Sequence, residues 1–254
     1  MNNLLKINPE EEQKKITSFI KETFDKQKIK HAVIGISGGL DSATSLTLLS
    51  KAIPKKNISV LYLPYFESPT NEIGELLSKI GLSENQLINI SIEEMTDQIA
   101  DELEIPDEDL VRRGNIMARA RMIVLYDFSK ENNALVVGTE NRSEYHLGYF
   151  TRFGDEASDI EPIQHLYKTQ VHELAKYLGI PRSILEKKPS ANLWEDQTDE
   201  SEFGFSYSEA DPVLYRFFDK NESIENITKE FPNAKKIIDF AKKNSYKHSV
   251  PYHL

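Results

Sequence analysis

The hexapeptide Ser37-Gly38-Gly39-Leu40-Asp41-Ser42 contains the residue types best suited to binding an anion. It follows a short apolar run and precedes a stretch with helical character, Ala43 to Ile53. The glycine pair permits a tight turn and lets an anion approach the main chain closely. The N–H groups and positive dipole end of the following helix would face that anion. We therefore predict a phosphate site here, although an ordinary strand-to-helix turn capped by Asp41 or Ser42 has the same pattern.

A second polar segment, Thr139-Glu140-Asn141-Arg142-Ser143-Glu144, follows the apolar run Ala134–Gly138. A hydroxyl group and carboxylates at the end of a strand suit a nucleotide with Mg²⁺, because Mg²⁺ combines a few carboxylates with phosphate oxygens. The alternative is a helix start capped by Asn141 or Ser143, with acidic residues favoured in its first turn. The residues alone leave both interpretations open.

Two further segments have unusual compositions. Residues 112–121 contain four arginines, whose guanidinium groups pair well with phosphate and carboxylate. A solvated basic helix face is the alternative for such a segment. Residues 148–159 combine glycines and acids with three aromatic rings, Tyr149, Phe150 and Phe153. This composition indicates a loop that contacts a ligand, unless the rings pack into the core.

The elements that would position these groups alternate between strand and helix. Apolar runs predict strands at His31–Ile36, Ile58–Leu63, Leu87–Ile92 and Ala134–Gly138. Helical spacing predicts helices at Pro9–Lys28, Asp41–Ile53, Asn71–Ile80, Ile92–Leu103, Arg112–Glu131, Thr169–Leu178 and Arg182–Lys187, and two or three small ones between Pro212 and Lys243. Lys188 to Tyr207 is predicted to be a long loop that becomes ordered when substrates bind. We expect an α/β fold: a single-domain parallel sheet flanked by helices, with ligands beyond the carboxyl ends of its strands.

Composition restricts the class of protein. The 254 residues are 39% hydrophobic and carry a formal net charge of −10, which predicts a globular chain with no general affinity for nucleic acid. The chain has no cysteine, so disulfides, thiolate zinc sites and persulfide chemistry are excluded. The N-terminus is unlike a signal peptide, and no apolar run is long enough to span a membrane. A cytoplasmic enzyme comprising one domain, residues 1–254, is expected.

Six motifs occur in an order and spacing that together are highly specific. They are Ser37-Gly-Gly-Leu-Asp-Ser42, Gly114-Asn115 with Ala118-Arg119 and Arg121-Met122, Gly138-Thr-Glu-Asn141, Gly148-Tyr-Phe-Thr151 with Phe153-Gly-Asp155, Lys168-Thr-Gln-Val171, and Pro189-Ser-Ala191 with Gln197 and Asp199-Glu200. The set resembles the ammonia-dependent NAD synthetases of the N-type ATP pyrophosphatase superfamily. The resemblance implies a Rossmann-like fold of the adenine nucleotide alpha hydrolase type. It also implies an NAD⁺ synthase that uses ATP, Mg²⁺ and ammonia to amidate deamido-NAD, through an NAD-adenylate, to NAD, AMP and pyrophosphate.

The resemblance also implies residue roles. ATP would contact Gly35, Ile36, Ser37, Gly38, Gly39, Leu40, Asp41, Ser42, Thr139, Lys168 and Ser190. Deamido-NAD would contact Arg119, Arg152, Asp159, Lys247 and His248. Mg²⁺ would bind Asp41 and Glu144. For catalysis, Lys168 would offset charge on the departing pyrophosphate, and we assign to Asp155 the attraction and deprotonation of ammonium.

Four residues depart from the commonest pattern of these synthetases. Arg152 stands where lysine is usual, Glu156 replaces a frequent glycine, and Lys247-His248 inverts the usual His-Lys pair. The family is homodimeric, so a homodimer is expected. The apolar residues between Ile116 and Phe128 would form its seam, or would face the core of a monomer.

Other functions agree less well with the chain. The tRNA-thiolating and deazapurine-nitrile ATP pyrophosphatases generally use cysteines, which are absent here. GMP and asparagine synthetases normally carry a glutaminase domain, whereas only about thirty residues precede the first predicted strand. We therefore expect free ammonia as the nitrogen source, unless a separate subunit delivers it. A nucleotide-binding regulatory protein without catalysis would keep Gly38 and Gly39 but should lack metal carboxylates, and Asp41 and Glu144 are both present.

Overall fold

The protein is described by a computed structural model that covers residues 3–66, 70–194, 196–248 and 250–252. Its centre is a parallel sheet of four strands in the order β3-β2-β1-β4. The strands are β1 (His31–Gly35), β2 (Ile58–Tyr62), β3 (Leu87–Asn89) and β4 (Ala134–Val137). Ile34 pairs with Val60 on one side and Val137 on the other. The predicted α/β class and parallel sheet are confirmed.

Helices cover both faces of this sheet. In chain order they are α1 (Pro9–Gln27), α2 (Leu40–Ala52), α3 (Asn71–Ile80), α4 (Glu93–Glu102), α5 (Leu110–Asn132), α6 (Arg142–Leu147), α7 (Lys168–Leu178), α8 (Arg182–Leu185), α9 (Asp199–Phe203), α10 (Tyr207–Leu214), α11 (Ile224–Thr228) and α12 (Ala234–Asn244). Helices α1, α2 and α7 pack together beside the strand residues Ala32 and Ile34. Helix α5 contacts β1 and β4 on the opposite face, where Val33 packs with Met117.

A second apolar cluster lies in the C-terminal helices. It joins Leu147 of α6 to Val213 of α10 and Ile237 of α12. A ring of aromatic contacts centres on Phe203, which meets Tyr149, Tyr207 and other rings at centroid distances of 4.6 and 5.6 Å for these two. This cluster gives α6 and α10 a rigid support on the side of the molecule where the strands end.

Several predicted boundaries differ from the structure. Helix α5 begins at Leu110 rather than Arg112, because the Asp109 side chain accepts a hydrogen bond from the Arg112 N–H at 3.2 Å and caps the helix. Strand β3 ends at Asn89, three residues before the predicted Ile92. A loop was predicted over the residues that form the short helix α9, whereas the start of α6 was one of two interpretations left open. Helix α10 begins at Tyr207, ahead of the predicted Pro212, because Ser206 and Glu209 form a capping box.

The apolar residues of α5 divide between core and surface. Met117 is buried against the sheet, whereas the Ile123 side chain is 56% exposed. The core-facing interpretation is therefore confirmed for Met117, whereas the dimer seam and the homodimer stay predictions. Among the described residues, no helix combines the length and the apolar character needed to cross a bilayer.

Candidate active site

The turn between β1 and α2 is built for an anion. Gly38 has φ +74°, in the left-handed region that glycine adopts without strain. The Ser37 hydroxyl accepts a hydrogen bond from the Gly39 N–H at 3.2 Å and lies 3.2 Å from the Ser42 hydroxyl oxygen. Gly39 is the N-cap of α2, and within the described chain no side chain caps this helix. The capping alternative for Asp41 and Ser42 is therefore wrong, and the positive end of α2 stays open to a ligand.

Asp41, Lys168 and Glu144 meet beside this turn. The Lys168 ammonium group lies 2.5 Å from an Asp41 carboxylate oxygen and 3.0 Å from a Glu144 oxygen. Burial of Lys168 acts to lower its pKa, but the charges of Asp41 and Glu144 outweigh burial and raise it, so the side chain stays charged. Burial raises the pKa of Glu144, against the opposing effect of Lys168. The structure thus brings the two predicted metal ligands onto a single cation.

Asn141 performs the capping role left open by the sequence and a second role as well. Its side-chain oxygen accepts hydrogen bonds from the N–H groups of Ser143 and Glu144 at 3.0 and 3.1 Å, and so begins α6. Its amide nitrogen donates to Asp41 at 3.1 Å. The alternative of a capped helix start is confirmed for Asn141. Through these contacts, Asn141 links the start of α6, which carries Glu144, to the Asp41 side chain.

The two carboxylates fit a magnesium ion. Mg²⁺ is usually held by one or two protein carboxylates and takes its other ligands from phosphate and water. Asp41 and Glu144 both contact the Lys168 ammonium, so both can reach one cation position. Within the described part of the chain, no cluster of three or more His, Cys, Asp or Glu residues forms a closed metal cage. The arrangement suits a cation that arrives with a phosphorylated ligand.

Asp211 was missed by the sequence analysis, yet it connects the helices that carry Glu144 and Lys168. Its carboxylate is fully buried and accepts hydrogen bonds from the Ser143 hydroxyl at 2.6 Å and from the Thr169 N–H and hydroxyl at 2.8 and 2.7 Å. The Ser143 hydroxyl also accepts from the Lys168 N–H at 2.8 Å. Burial raises the pKa of Asp211 to about 6. An acid within an apolar helix carries no pattern that would reveal this role.

Tyr207, at the start of α10, covers the same cluster. Its ring centroid lies 5.2 Å from the Lys168 ammonium nitrogen, and its hydroxyl donates to Asp199 at 2.9 Å. The other Asp199 oxygen is buried and has no hydrogen-bond partner among the residues that the structure describes, although the side chain lines the cavity. The Gln197–Glu200 motif marked this region in the sequence, but it did not reveal that Tyr207 completes it.

A cavity of about 1270 Å³ lies over the carboxyl ends of β1, β2 and β4. It exceeds the ~300–1,000 Å³ of an ordinary ligand pocket, so it has room for two ligands. Of the predicted site residues, it is lined by Gly35, Ile36, Ser37, Gly39, Leu40, Asp41, Ser42, Thr139, Glu144, Asp155, Lys168, Ser190 and Lys247. The cavity lies beyond the strand ends, where the sequence analysis expects ligands to bind, and the binding itself stays a prediction.

Five predicted residues lie outside the lining of this cavity, namely Gly38, Arg119, Arg152, Asp159 and His248. The Arg119 guanidinium donates to the Arg152 carbonyl oxygen at 3.2 and 3.3 Å. Asp159 accepts from the Val136 N–H at 2.8 Å. His248 lies 2.6 Å from the Tyr145 carbonyl oxygen, and Lys247 donates to the Gly148 and Phe150 carbonyls at 2.7 Å each. Their predicted ligand contacts stay predictions.

The arginine-rich and aromatic segments each divide between two roles. Arg121 lines the cavity and donates to the Leu63 carbonyl at 2.9 Å, and burial lowers the pKa of its guanidinium. Arg113 instead pairs with Asp97 at 2.9 Å. Phe150 is buried, whereas the Phe153 ring is 56% exposed. In the arginine-rich segment, Arg121 therefore lines the cavity while Arg113 forms an ion pair. In the aromatic segment, Phe150 packs inside the protein while Phe153 lies at the surface.

Comparison with known proteins agrees with this geometry. Residues 12–251 match the NAD synthase family. The chain belongs to the NAD synthase family. It is 41% identical to the NH3-dependent NAD⁺ synthetase of Thermoplasma acidophilum, over 96% of this chain and 97% of that one. The relative is a ligase, and this chain is likewise an enzyme of the ammonia-dependent class.

Two solved structures of similar proteins share the fold over almost their entire length. An NMN synthetase from Francisella tularensis has 32% identity and a TM-score of 0.84, covering 98% of this chain and 99% of its own. An NH3-dependent NAD synthetase from Campylobacter jejuni has 30% identity and a TM-score of 0.80, covering 98% and 100%. The sequence resemblance to ammonia-dependent NAD synthetases is thus confirmed.

Glu140, which is buried, and Glu161, which is partly buried, lie together after the end of β4. The Glu161 side chain accepts from the Glu140 N–H at 3.0 Å and from the Ser158 hydroxyl at 2.8 Å. A Cβ at Gly138 would lie 1.8 Å from a Glu161 oxygen, so only glycine leaves room for this carboxyl group. Burial raises the pKa of Glu140 to about 9 and that of Glu161 to about 8. Both groups are therefore protonated in the folded protein at neutral pH.

Asp211→Asn should loosen Glu144 and Lys168 together. The amide keeps the size of the side chain but replaces one acceptor oxygen with an NH₂ donor. This donor would face the hydrogen-bond donors of Thr169 or the Ser143 hydroxyl. We expect a loss of about 2–4 kcal/mol in the free energy of unfolding, together with a higher Mg²⁺ requirement. Urea unfolding and a Mg²⁺ titration of activity measure the two effects.

The matched control is Ser129→Ala. It removes a buried hydroxyl that donates to the Ala134 carbonyl at 2.7 Å, at the opposite edge of the sheet. It should lower stability while leaving the Mg²⁺ requirement unchanged. An unchanged Mg²⁺ requirement in Asp211→Asn would show that Asp211 supports the fold and does not position the ligands.

Glu140→Gln should flatten the dependence of stability on pH. Unfolding exposes Glu140 and Glu161, which then ionise with their ordinary pKa near 4.5. The unfolded chain thus binds fewer protons between about pH 4.5 and 9, and wild-type stability falls as the pH rises, by up to about 1.4 kcal/mol per pH unit for each group. The variant should lose the contribution of Glu140 to this slope. Urea unfolding at pH 5, 7 and 9 tests it, with exposed Glu131→Gln as control, and equal slopes in all three proteins would contradict it.

Proposed function

We propose that this NAD synthase uses Mg²⁺-ATP and free ammonia to amidate deamido-NAD, giving NAD, AMP and pyrophosphate. The observation that carries the proposal is the cluster of Asp41, Lys168 and Glu144 beside an uncapped helix start, at one end of a cavity large enough for two ligands. An open helix start with a buried lysine and two carboxylates suits a metal-bound polyphosphate.

The chemistry follows from the substrate. A nicotinate carboxylate is a poor acyl donor, because displacing oxide from it is unfavourable. Transfer of AMP from ATP to the carboxylate gives a mixed anhydride, the NAD-adenylate, from which AMP leaves when ammonia attacks. Mg²⁺, when bound to Asp41 and Glu144, supplies charge neutralisation at the phosphates. The Lys168 ammonium, which stays charged in its buried position, stabilises the charge that develops on the departing pyrophosphate.

Asp155 is proposed to attract ammonium and take its proton. The side chain lines the cavity, and one carboxylate oxygen accepts from the Thr151 N–H at 2.9 Å, which fixes its direction. The Asp155 side chain is exposed and lines the cavity, so its carboxylate is accessible to ammonium and can accept a proton. Ammonia in water near neutral pH is mostly ammonium, so a carboxylate that lines the cavity can both attract ammonium and take its proton.

The proposal includes the organisation of the protein. Residues 1–254 act as one synthetase domain, supported by the match of residues 12–251 to the NAD synthase family. Deamido-NAD binds to five further side chains, which give up their present contacts within the protein when the ligand binds. They are Arg119, Arg152, Asp159, Lys247 and His248. We also propose a cytoplasmic homodimer, with the exposed apolar side chains of α5, such as Ile123, at its interface.

Product analysis tests the activity. Purified protein with Mg²⁺-ATP, deamido-NAD and ammonium chloride should form NAD, AMP and pyrophosphate in equal amounts, and glutamine in place of ammonium should form none. A parallel reaction contains nicotinic acid mononucleotide, because the Francisella neighbour is an NMN synthetase. If only nicotinic acid mononucleotide is amidated, the acceptor is this mononucleotide and not deamido-NAD. Absence of ATP cleavage with every acceptor would contradict the proposal.

Asp155→Asn should lower the rate of NAD formation by about 10²-fold and weaken its dependence on ammonium concentration, because the amide cannot accept the proton. Initial rates across an ammonium titration give the result. Asp101→Asn, on the exposed surface of α4, removes the same charge elsewhere and should behave as wild type. An unchanged rate and ammonium dependence in Asp155→Asn would remove Asp155 from the mechanism.

A further inference from the structure

A second lysine, Lys187, lies at the Ser37–Ser42 turn. The Lys187 ammonium nitrogen would be 3.7 Å from a Cβ built on Gly38, so it sits directly against the glycine pair. The side chain also lines the large cavity. Its backbone follows α8 and leads into the segment that contains Ser190. Lys187 therefore faces the same ligand space as the turn itself.

The partner of Lys187 is held loosely. The ammonium nitrogen lies 3.2 Å from a Glu72 carboxylate oxygen, with side chains 42% and 37% exposed. Exposed ion pairs of this kind contribute little to stability, because water screens them and both side chains lose freedom. Lys168 differs, since it is buried between two carboxylates at 2.5 and 3.0 Å. Of these two lysines at the turn, Lys187 is the one free to change partner.

The charges at the turn favour such a change. Asp41 and Glu72 place two carboxylates near a site that must accept a triphosphate, while Lys168 is occupied by Asp41 and Glu144. A lysine ammonium is a compact charge that binds phosphate oxygens strongly, and a polyphosphate offers more negative charge than one carboxylate. We propose that Lys187 is a further ATP-binding residue, which leaves Glu72 and pairs with the outer phosphates of ATP at the Ser37–Ser42 turn. The assignment rests on the proposed function.

The test compares the two members of the ion pair. Lys187→Gln should weaken ATP binding by about tenfold, because a charged contact to phosphate is lost. Affinity for AMP, which lacks the outer phosphates, should stay unchanged. Glu72→Gln should tighten ATP binding by about two- to threefold, because the competing carboxylate is gone. Calorimetric titration of each protein with ATP and with AMP gives these affinities, and Lys51→Gln, at the exposed far end of α2, controls for net charge.

The two variants are expected to change ATP affinity in opposite directions, and this distinguishes phosphate binding by Lys187 from a purely structural role of the ion pair. If the ion pair only supports the loop, both variants lose it and weaken ATP binding alike, which would overturn the proposal. Wild-type affinity for ATP in Lys187→Gln, or equal weakening for ATP and AMP, would overturn it too. Failure of the wild-type protein to bind ATP would instead overturn the proposed function, and the assignment of Lys187 with it.

Discussion

The burial of one positive charge constrains the rest of the site. Lys168 lies inside the protein, where an ammonium group is tolerated only with anionic partners close by. Those partners, Asp41 and Glu144, come from the starts of two other helices, α2 and α6. Three helix N-termini must therefore converge on one point. The same convergence that satisfies the lysine brings together the two carboxylates proposed to hold Mg²⁺, beside the turn proposed to bind phosphate.

The parallel sheet makes this convergence possible. Strands β1 and β4 are neighbours, so the chain leaves both at the same edge and enters α2 and α6 side by side. The C-terminal helices then lock the arrangement, because Asp211 of α10 accepts hydrogen bonds from Ser143 and Thr169. The C-terminal helices thus determine how firmly Glu144 and Lys168 are held, although most of the predicted site residues lie elsewhere in the chain.

Local patterns predicted the elements well where hydrophobic periodicity was strong. Helix α3 matches its predicted bounds, Asn71–Ile80, and β1 and β4 each end one residue before the prediction. The short helix α9 was missed, because its five residues carry too little periodicity and depend on the Thr198 cap. The start of α6 was predicted only as an alternative, with Asn141 as a possible cap. The Asp211, Tyr207 and Lys187 contacts were also missed, since each joins residues far apart in the chain.

The sequence by itself determined the family, the α/β class, the anion-binding turn and the residue types for metal and phosphate chemistry. These properties reside in local order and spacing, which the chain carries before it folds. The tertiary structure decided which groups meet: it joined Asp41 to Lys168 across 127 residues and placed Lys187 against Gly38. It also turned Arg119 and Asp159 toward main-chain partners. Packing and the need to pair buried charges determine these contacts. Both depend on residues that are distant in the sequence, so no single segment predicts them.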